Sequence, residues 1–197
     1  MNSTTVQFNA GTAIELSFAT VAEGKEAQLF GEYFPKVMPI VVDLGGKPMG
    51  SYAIGDSATK LGTPKMGAFF QWPNLEGFQK LHDDPRFLAI KGIRDEALSF
   101  FSNAHFFCVA EDTEVTFEEG QEYALVAERE MSENEEQGMF DSLVTLTPAP
   151  GASNPDFNAS QIHIARWDEN SQRAFDAAKS GQNGARDLFK FEINMPA

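Results

Sequence analysis

Two side chains with acid–base chemistry lie inside runs of alternating apolar residues. Glu15 belongs to the run from Thr12 to Val21, and His163 belongs to the run from Ser160 to Trp167. A carboxylate inside a strand is costly unless it is paired or hydrated, so Glu15 needs a partner or a polar pocket. Since histidine can act as a general base near neutral pH, we predict that His163 is this partner. In the alternative, Glu15 lies at a solvated mouth and His163 hydrogen-bonds a backbone carbonyl.

Two tryptophans, Trp72 and Trp167, each end a predicted strand. They could form the floor of an aromatic pocket for a flat ligand, or they could be ordinary core residues. Arg166 could hold an anionic group of a ligand, or it could pair with one of the many acidic residues. Besides the Glu15 and His163 pair, the predicted ligand-binding residues are Ser17, Phe70, Trp72, His105, Arg166 and Trp167.

The sequence lacks the motifs of the common cofactor and metal sites. It contains no P-loop, dinucleotide-binding glycine motif, serine-hydrolase elbow or zinc-peptidase motif. His82 precedes two aspartates, but adjacent residues rarely bind one ion together, and a surface turn explains the run. Cys108 is the single cysteine, so it has no partner for a disulfide or a metal. We therefore predict no metal and no cofactor.

The composition limits the partners. The chain has 197 residues, 42% of them hydrophobic, and a formal net charge of −14. Such a charge disfavours nucleic acid and anionic membranes, because phosphates would be repelled. No apolar stretch approaches the roughly 20 residues that a membrane-spanning helix needs, and residues 1–11 do not resemble a signal peptide. We expect a cytoplasmic monomer or homodimer with a small-molecule ligand.

The stretch from Met66 to Val109 contains the clearest elements. An aromatic strand runs from Met66 to Trp72, and Asn74 caps the helix that follows. His82 to Pro85 breaks this helix, and a second helix runs from Pro85 to Asn103 with Phe87 facing inward. A strand from His105 to Val109 ends the stretch.

The flanking segments alternate between strands and helices. Upstream we predict a loose arm in residues 1–11, a strand from Thr12 to Val21, a helix from Glu23 to Phe34 limited by Pro35 and Pro39, a strand from Met49 to Ile54 and a connection from Gly55 to Lys65. Downstream we predict an acidic link, a strand from Tyr123 to Arg129, a short helix within Met131 to Phe140, strands from Leu143 to Thr147 and Ser160 to Trp167, a helix from Asp168 to Ala178 and a strand from Leu188 to Asn194. In both halves, a strand that ends on Trp leads directly into a helix, as in Ala68 to Asn74 and His163 to Glu169, which suggests an internal repeat.

This order of elements resembles the dimeric α/β-barrel superfamily, especially small bacterial members related to the antibiotic-biosynthesis monooxygenase type. The resemblance implies an α+β fold of two tandem ferredoxin-like βαββαβ units, at residues 12–111 and 122–197, with antiparallel sheets packed face to face. An N-terminal arm (1–11) and an acidic link (112–121) complete the chain, and the first helix of the second unit is shortened or lost.

The resemblance also implies which strand faces carry a site. One face of each sheet packs on helices, and the other lines a cavity between the sheets. We expect Ile14, Leu16 and Phe18 to lie under helices, as do Ile162 and Ile164. Their alternates would then line the cavity: Glu15, Ser17, Ala68, Phe70, Trp72, His163, Ala165 and Trp167.

Three functions remain open at this point. The first is a small-molecule binding protein or cofactor-independent enzyme that acts on an aromatic or hydrophobic metabolite. The second is a non-catalytic interaction or assembly protein. The third is haem binding, which would require His163 or His105 as the axial ligand.

Overall fold

The computed structural model describes residues 2–129, 140–154, 156–181 and 186–194. They form an α+β fold with antiparallel strand pairing, as predicted. The strands are β1 (Ser3–Phe8), β2 (Ala13–Val21), β3 (Lys47–Ala58), β4 (Met66–Trp72), β5 (Leu98–Phe101), β6 (His105–Cys108), β7 (Thr113–Glu118), β8 (Tyr123–Glu128), β9 (Ser142–Pro148), β10 (Gln161–Arg166) and β11 (Arg186–Ile193). The helices are a π-helical segment (Ala27–Tyr33), α1 (Phe34–Asp43), α2 (Leu75–Asp83), α3 (Pro85–Ala97) and α4 (Glu169–Lys179).

Strand pairing closes the main sheet into a barrel. The order β4-β3-β11-β8-β10-β9-β6-β2 returns to β4 through the pairing of β2 with β4. β5 makes an additional pairing with β2. The strands that were expected to form two facing sheets therefore form one continuous sheet. β3 pairs with β11 at one junction, and β6 pairs with β9 at the other.

Large apolar side chains fill the inside of this barrel. Phe18 of β2 stacks on Phe189 of β11 with ring centroids 4.6 Å apart, and Tyr52 of β3 lies 5.0 Å from Phe191. The same core cluster contains the isoleucines of β10. The expectation that Ile14, Leu16, Phe18, Ile162 and Ile164 lie under helices is therefore wrong. Both faces of these strands are largely buried, so alternation alone cannot tell which face points inward.

Two further segments complete the barrel core. β1 pairs with β7, and both contribute buried residues to the core cluster, such as Phe8 and Phe117. Phe157, from the loop between β9 and β10, packs 5.5 Å from Phe18. Ser3–Phe8 is consequently not part of a loose arm, because it pairs with a strand that lies in the predicted acidic link.

The helical boundaries differ from the prediction at two places. The first helix continues through Pro35 and Pro39 to Asp43, since Pro35 lies in its first turn and the helix buries Val37, Ile40 and Val41. α3 ends at Ala97, and Leu98–Phe101 forms β5 instead. The cap by Asn74 and the break at Asp84 are confirmed: Asn74 Oδ1 accepts from Glu76 N, and Asp84 Oδ1 accepts from Arg86 N. The short helix predicted within residues 131–140 lies almost wholly outside the described residues.

Candidate functional site

A cavity of about 390 Å³ lies between the outer face of the barrel and the helices of the first half. β2 contributes Glu15 and Ser17 to its wall, and β4 contributes Phe70 and Trp72. The π-helical segment, α1, α2 and α3 form the opposite side, mostly with apolar side chains. A concave, mostly apolar space with a few polar groups is the usual form of a small-molecule site.

Glu15 is the acidic group of this cavity. Its Oε2 accepts a hydrogen bond of 2.7 Å from the indole Nε1 of Trp72, and the residue is 8% exposed. Burial raises the pKa of Glu15 to about 7, although the Trp72 hydrogen bond opposes the rise. Near neutral pH the acid and the base form of this carboxyl group are therefore both populated.

Two glycines hold the Trp72 ring in place. A Cβ at Gly46 would come within 2.9 Å of the indole ring, and one at Gly77 within 3.1 Å. Because glycine has no Cβ, the backbone can approach the indole ring closely at Gly46, in the turn before β3, and at Gly77, in α2. This packing fixes the direction of the N–H group that binds Glu15.

Tyr33 and Arg94 add polar groups on the helical side. Burial raises the pKa of Tyr33, and the neighbouring Arg94 opposes this rise. The Arg94 side chain is 13% exposed, forms a 2.7 Å ion pair with Asp95, and lies 4.7 Å from the ring centroid of Phe101. The cavity therefore contains a carboxyl group on the sheet, and a phenol and a guanidinium on the helices.

Solved structures with the same architecture have little sequence in common with this chain. An anthrone oxidase-like protein is 12% identical with a TM-score of 0.54, covering 93% of this chain and 91% of its own. A mutant chlorite dismutase from Candidatus Nitrospira defluvii, in complex with cyanide, is 10% identical with a TM-score of 0.52, covering 94% and 92%. The chain has the dimeric α/β-barrel fold. No protein-family model and no curated protein matches it.

Within this dimeric α/β-barrel fold, four of the predicted site residues lie in one cavity. These are Glu15, Ser17, Phe70 and Trp72. The cavity is nevertheless on the other side of the sheet from the one expected, because the space inside the barrel is filled by core side chains. The alternation of β2 and β4 predicted which residues share a face, and the error concerned only which face meets the helices.

His163 lies on a different part of the barrel. Three strand-to-strand steps separate β10 from β2, roughly 14 Å along the sheet. His163 Nδ1 is 2.9 Å from Ser142 Oγ, and its Nε2 is 3.6 Å from Glu128 Oε2. The predicted pairing of Glu15 with His163 is therefore wrong. Each group has its own partner, Trp72 for the first and Ser142 with Glu128 for the second.

Arg166 and Trp167 also lie away from the Glu15 cavity. Arg166 is exposed and forms a 3.3 Å ion pair with Glu118. Trp167 packs 5.5 Å from Phe175 of α4, and Lys190 Nζ lies 4.9 Å from its ring centroid. The two tryptophans therefore do not form one pocket.

His105 lies inside the barrel core. It is 1% exposed, its ring is 5.0 Å from that of Phe157, and neither ring nitrogen has a hydrogen-bond partner among the described residues. Burial lowers its pKa to about 4, so the ring is neutral at pH 7. His105 does not line the Glu15 cavity, so it cannot present a nitrogen to a ligand bound there.

Sequence reasoning missed the helical side of the site. On α3, Ile90 follows Phe87 by three residues and Arg94 follows Ile90 by four, so Arg94 lies on the apolar stripe of the helix. The positively charged Arg94 among the apolar residues of this stripe was the signal in the sequence that could have identified the helical side of the site. His82 is exposed, as the predicted surface turn implies, and it also borders the cavity and packs 4.7 Å from Phe78. Within the described ranges, no cluster of three or more His, Cys, Asp or Glu residues could hold a metal ion.

Proposed function

We propose that the protein binds a small aromatic or hydrophobic molecule in the Glu15 cavity, and that Glu15 is the acid–base group of this site. The observation that carries the proposal is the buried Glu15 carboxyl group, which is held by Trp72 and has a pKa of about 7. A general base is most effective when its pKa lies near the working pH. The proposal rests on Glu15 alone, since His163 does not take part.

The cavity indicates the chemical class of the ligand. Aromatic and aliphatic side chains make up most of its wall, while Tyr33 and Arg94 can hold an oxygen atom of the ligand. An aromatic ketone or phenol would place its oxygen toward these groups and an acidic proton toward Glu15. The name of the anthrone oxidase-like neighbour agrees with an aromatic ligand of this kind.

Proton abstraction can be tested with anthrone in D₂O. The CH₂ protons of anthrone are acidic, and their replacement by deuterium requires a base but no oxidant. We expect the protein to accelerate this exchange, followed by NMR, by about 10²–10⁴-fold over the same concentration of acetate. The acceleration should be lost in Glu15→Gln, because a glutamine can still accept the Trp72 hydrogen bond but cannot take up the proton.

A matched control separates the cavity from the surface. Glu119→Gln removes an exposed carboxylate that does not line the Glu15 cavity, and it should leave the exchange rate unchanged. Binding without exchange, measured by quenching of Trp72 fluorescence in a Trp167→Phe background, would support a binding protein that is not an enzyme. Absence of both binding and exchange would refute the proposal and favour the non-catalytic interaction protein.

Haem binding receives no support from the two histidines that could have supplied an axial ligand. His105 is enclosed by the barrel core, next to Phe18 and Phe157. His163 contacts Ser142 and Glu128 through its two nitrogens. Neither His105 nor His163 lines the Glu15 cavity, so these two histidines cannot ligate a haem bound there.

We also propose that the chain consists of two tandem ferredoxin-like units with the boundaries predicted above. The strand orders support this: β6-β2-β4-β3 in the first half and β9-β10-β8-β11 in the second place the first and third strands of each unit at the centre. A tandem unit would let one chain close the barrel that two chains would otherwise form. No helix among the described residues is long and apolar enough to cross a membrane.

We propose the cytoplasm as the location of the protein, as expected from the sequence.

A further inference from the structure

A second cavity adjoins the Glu15 cavity. This groove, of about 660 Å³, lies along the outer face of β3 and β4 and is bordered by Met49, Ser51, Ala53 and Ile193. Five residues line both spaces, namely Phe34, Met38, Met66, Ala68 and Phe70. One thin wall of side chains is therefore common to the two cavities.

The common wall consists of side chains that can move aside or leave room. Met38 and Met66 are unbranched and change rotamers at little cost, and Ala68 is small. Phe70 lies on β4 between Ala68 and Trp72 and lines both cavities. Its side chain is half-buried. When these side chains move aside, one molecule can occupy both spaces.

We infer that the ligand carries an apolar tail, which leaves the Glu15 cavity past Met38 and Met66 and lies in the groove along β3. This inference rests on the proposed function, because the polar head of the same molecule occupies the Glu15 cavity. The groove has no charged side chain in its wall, so an alkyl chain loses no hydration energy of a charged group there. The substrate class is therefore an aromatic head with an alkyl tail, rather than a compact aromatic molecule.

A series of 4-alkylphenols from ethyl to octyl tests the tail. Binding is measured below their solubility limits in water, by Trp72 fluorescence in the Trp167→Phe protein. Each added methylene that enters the groove should increase the affinity by about fourfold. An affinity that stops rising at ethyl or propyl would overturn the inference.

Ala53→Phe provides the matched variant. Ala53 is exposed on β3 and borders only the groove, so a phenyl ring there fills the groove without touching the Glu15 cavity. We expect 4-ethylphenol to bind as before and the gain from longer chains to disappear. Ser51→Phe is a second variant with the same expectation, and Val42→Phe is the control, since Val42 is 58% exposed and borders neither space.

The two proposals fail in different ways. If 4-ethylphenol binds and depends on Glu15, but chain length has no effect, only the tail is refuted. An unchanged chain-length dependence in Ala53→Phe and Ser51→Phe would also refute it, because the alkyl chain would then lie elsewhere. If none of the phenols binds, this inference is refuted, and if anthrone also shows neither binding nor exchange, the proposed function is refuted with it.

Discussion

The indole Nε1 of Trp72 donates a hydrogen bond of 2.7 Å to Oε2 of Glu15 across neighbouring strands β4 and β2. The indole N–H of Trp72 can only donate a hydrogen bond, whereas the strength of Glu15 as an acceptor depends on whether its carboxyl group is ionised. The hydrogen bond is stronger to the carboxylate than to the neutral acid. The bond therefore favours ionisation of Glu15, against the larger effect of burial.

Removing the indole donor should change the pKa of Glu15. In Trp72→Phe the carboxylate loses its hydrogen bond while burial persists, so we expect its pKa to rise above the value of about 7 in the native protein. A ¹³C NMR titration of the carboxyl carbon measures this. Trp167→Phe is the control and should leave the titration unchanged, because Trp167 packs against α4. A fall of the pKa in Trp72→Phe would contradict the assigned direction of the hydrogen bond.

The raised pKa of Glu15 should also appear in the stability of the fold. Since the folded pKa is about 7 and the ordinary value is 4.5, the folded state retains a proton that the unfolded state loses. The contribution of Glu15 to the free energy of unfolding is therefore fully present below pH 4.5. It decreases as the pH rises to 7, by at most about 3 kcal/mol. Glu15→Gln should lack this decrease in urea unfolding at pH 4.5, 6 and 8, whereas Glu119→Gln should keep it.

In the first half, the sequence predicted where strands and helices lie in the chain better than it predicted which strand face points into the barrel. Met66–Trp72 and the Asp84 break were found because Pro, Asn and a short aromatic run are local signals. The inward face of β2 was not found, because Ile14, Leu16 and Phe18 suit a barrel interior as well as a helix-covered face. Glu15 was recognised as a buried carboxylate from β2 alone. Its partner was not, since the pairing of Glu15 with Phe70 that brings Trp72 nearby depends on strand register.

His105 should lower the stability of the fold as the pH falls below 6.5. Its pKa is lowered from 6.5 to about 4 by burial, so the unfolded chain takes up a proton before the folded protein does. Stability should fall by about 3 kcal/mol as the pH decreases from 6.5 to 4. This slope is opposite to that of Glu15 in the same range, so we would measure it in a Glu15→Gln background. Adding His105→Leu should remove the acid slope; persistence of the full slope would assign it to other groups.

Phe87 should contribute strongly to the stability of the first half. It is 2% exposed on α3, packs 5.4 Å from the ring of His82, and belongs to the core cluster between the helices and the sheet. Phe87→Ala should therefore reduce the free energy of unfolding by about 3–5 kcal/mol, as large core truncations do. Leu88→Ala is the matched control, because the neighbouring Leu88 is 56% exposed. A loss below about 1 kcal/mol for Phe87→Ala would show that the helix is not packed as described.

His163 gives the sharpest test of where the site lies. The sequence alone predicts that His163→Ala weakens ligand binding, because it pairs His163 with Glu15. The structure instead places His163 against Ser142, Thr145 and Glu128, three strand steps from β2. We therefore expect His163→Ala to leave alkylphenol binding at Trp72 unchanged, while Glu15→Gln weakens it in the same assay. A loss of binding in His163→Ala, at unchanged stability in urea, would place the site on the second half of the barrel and contradict the Glu15 cavity as the site.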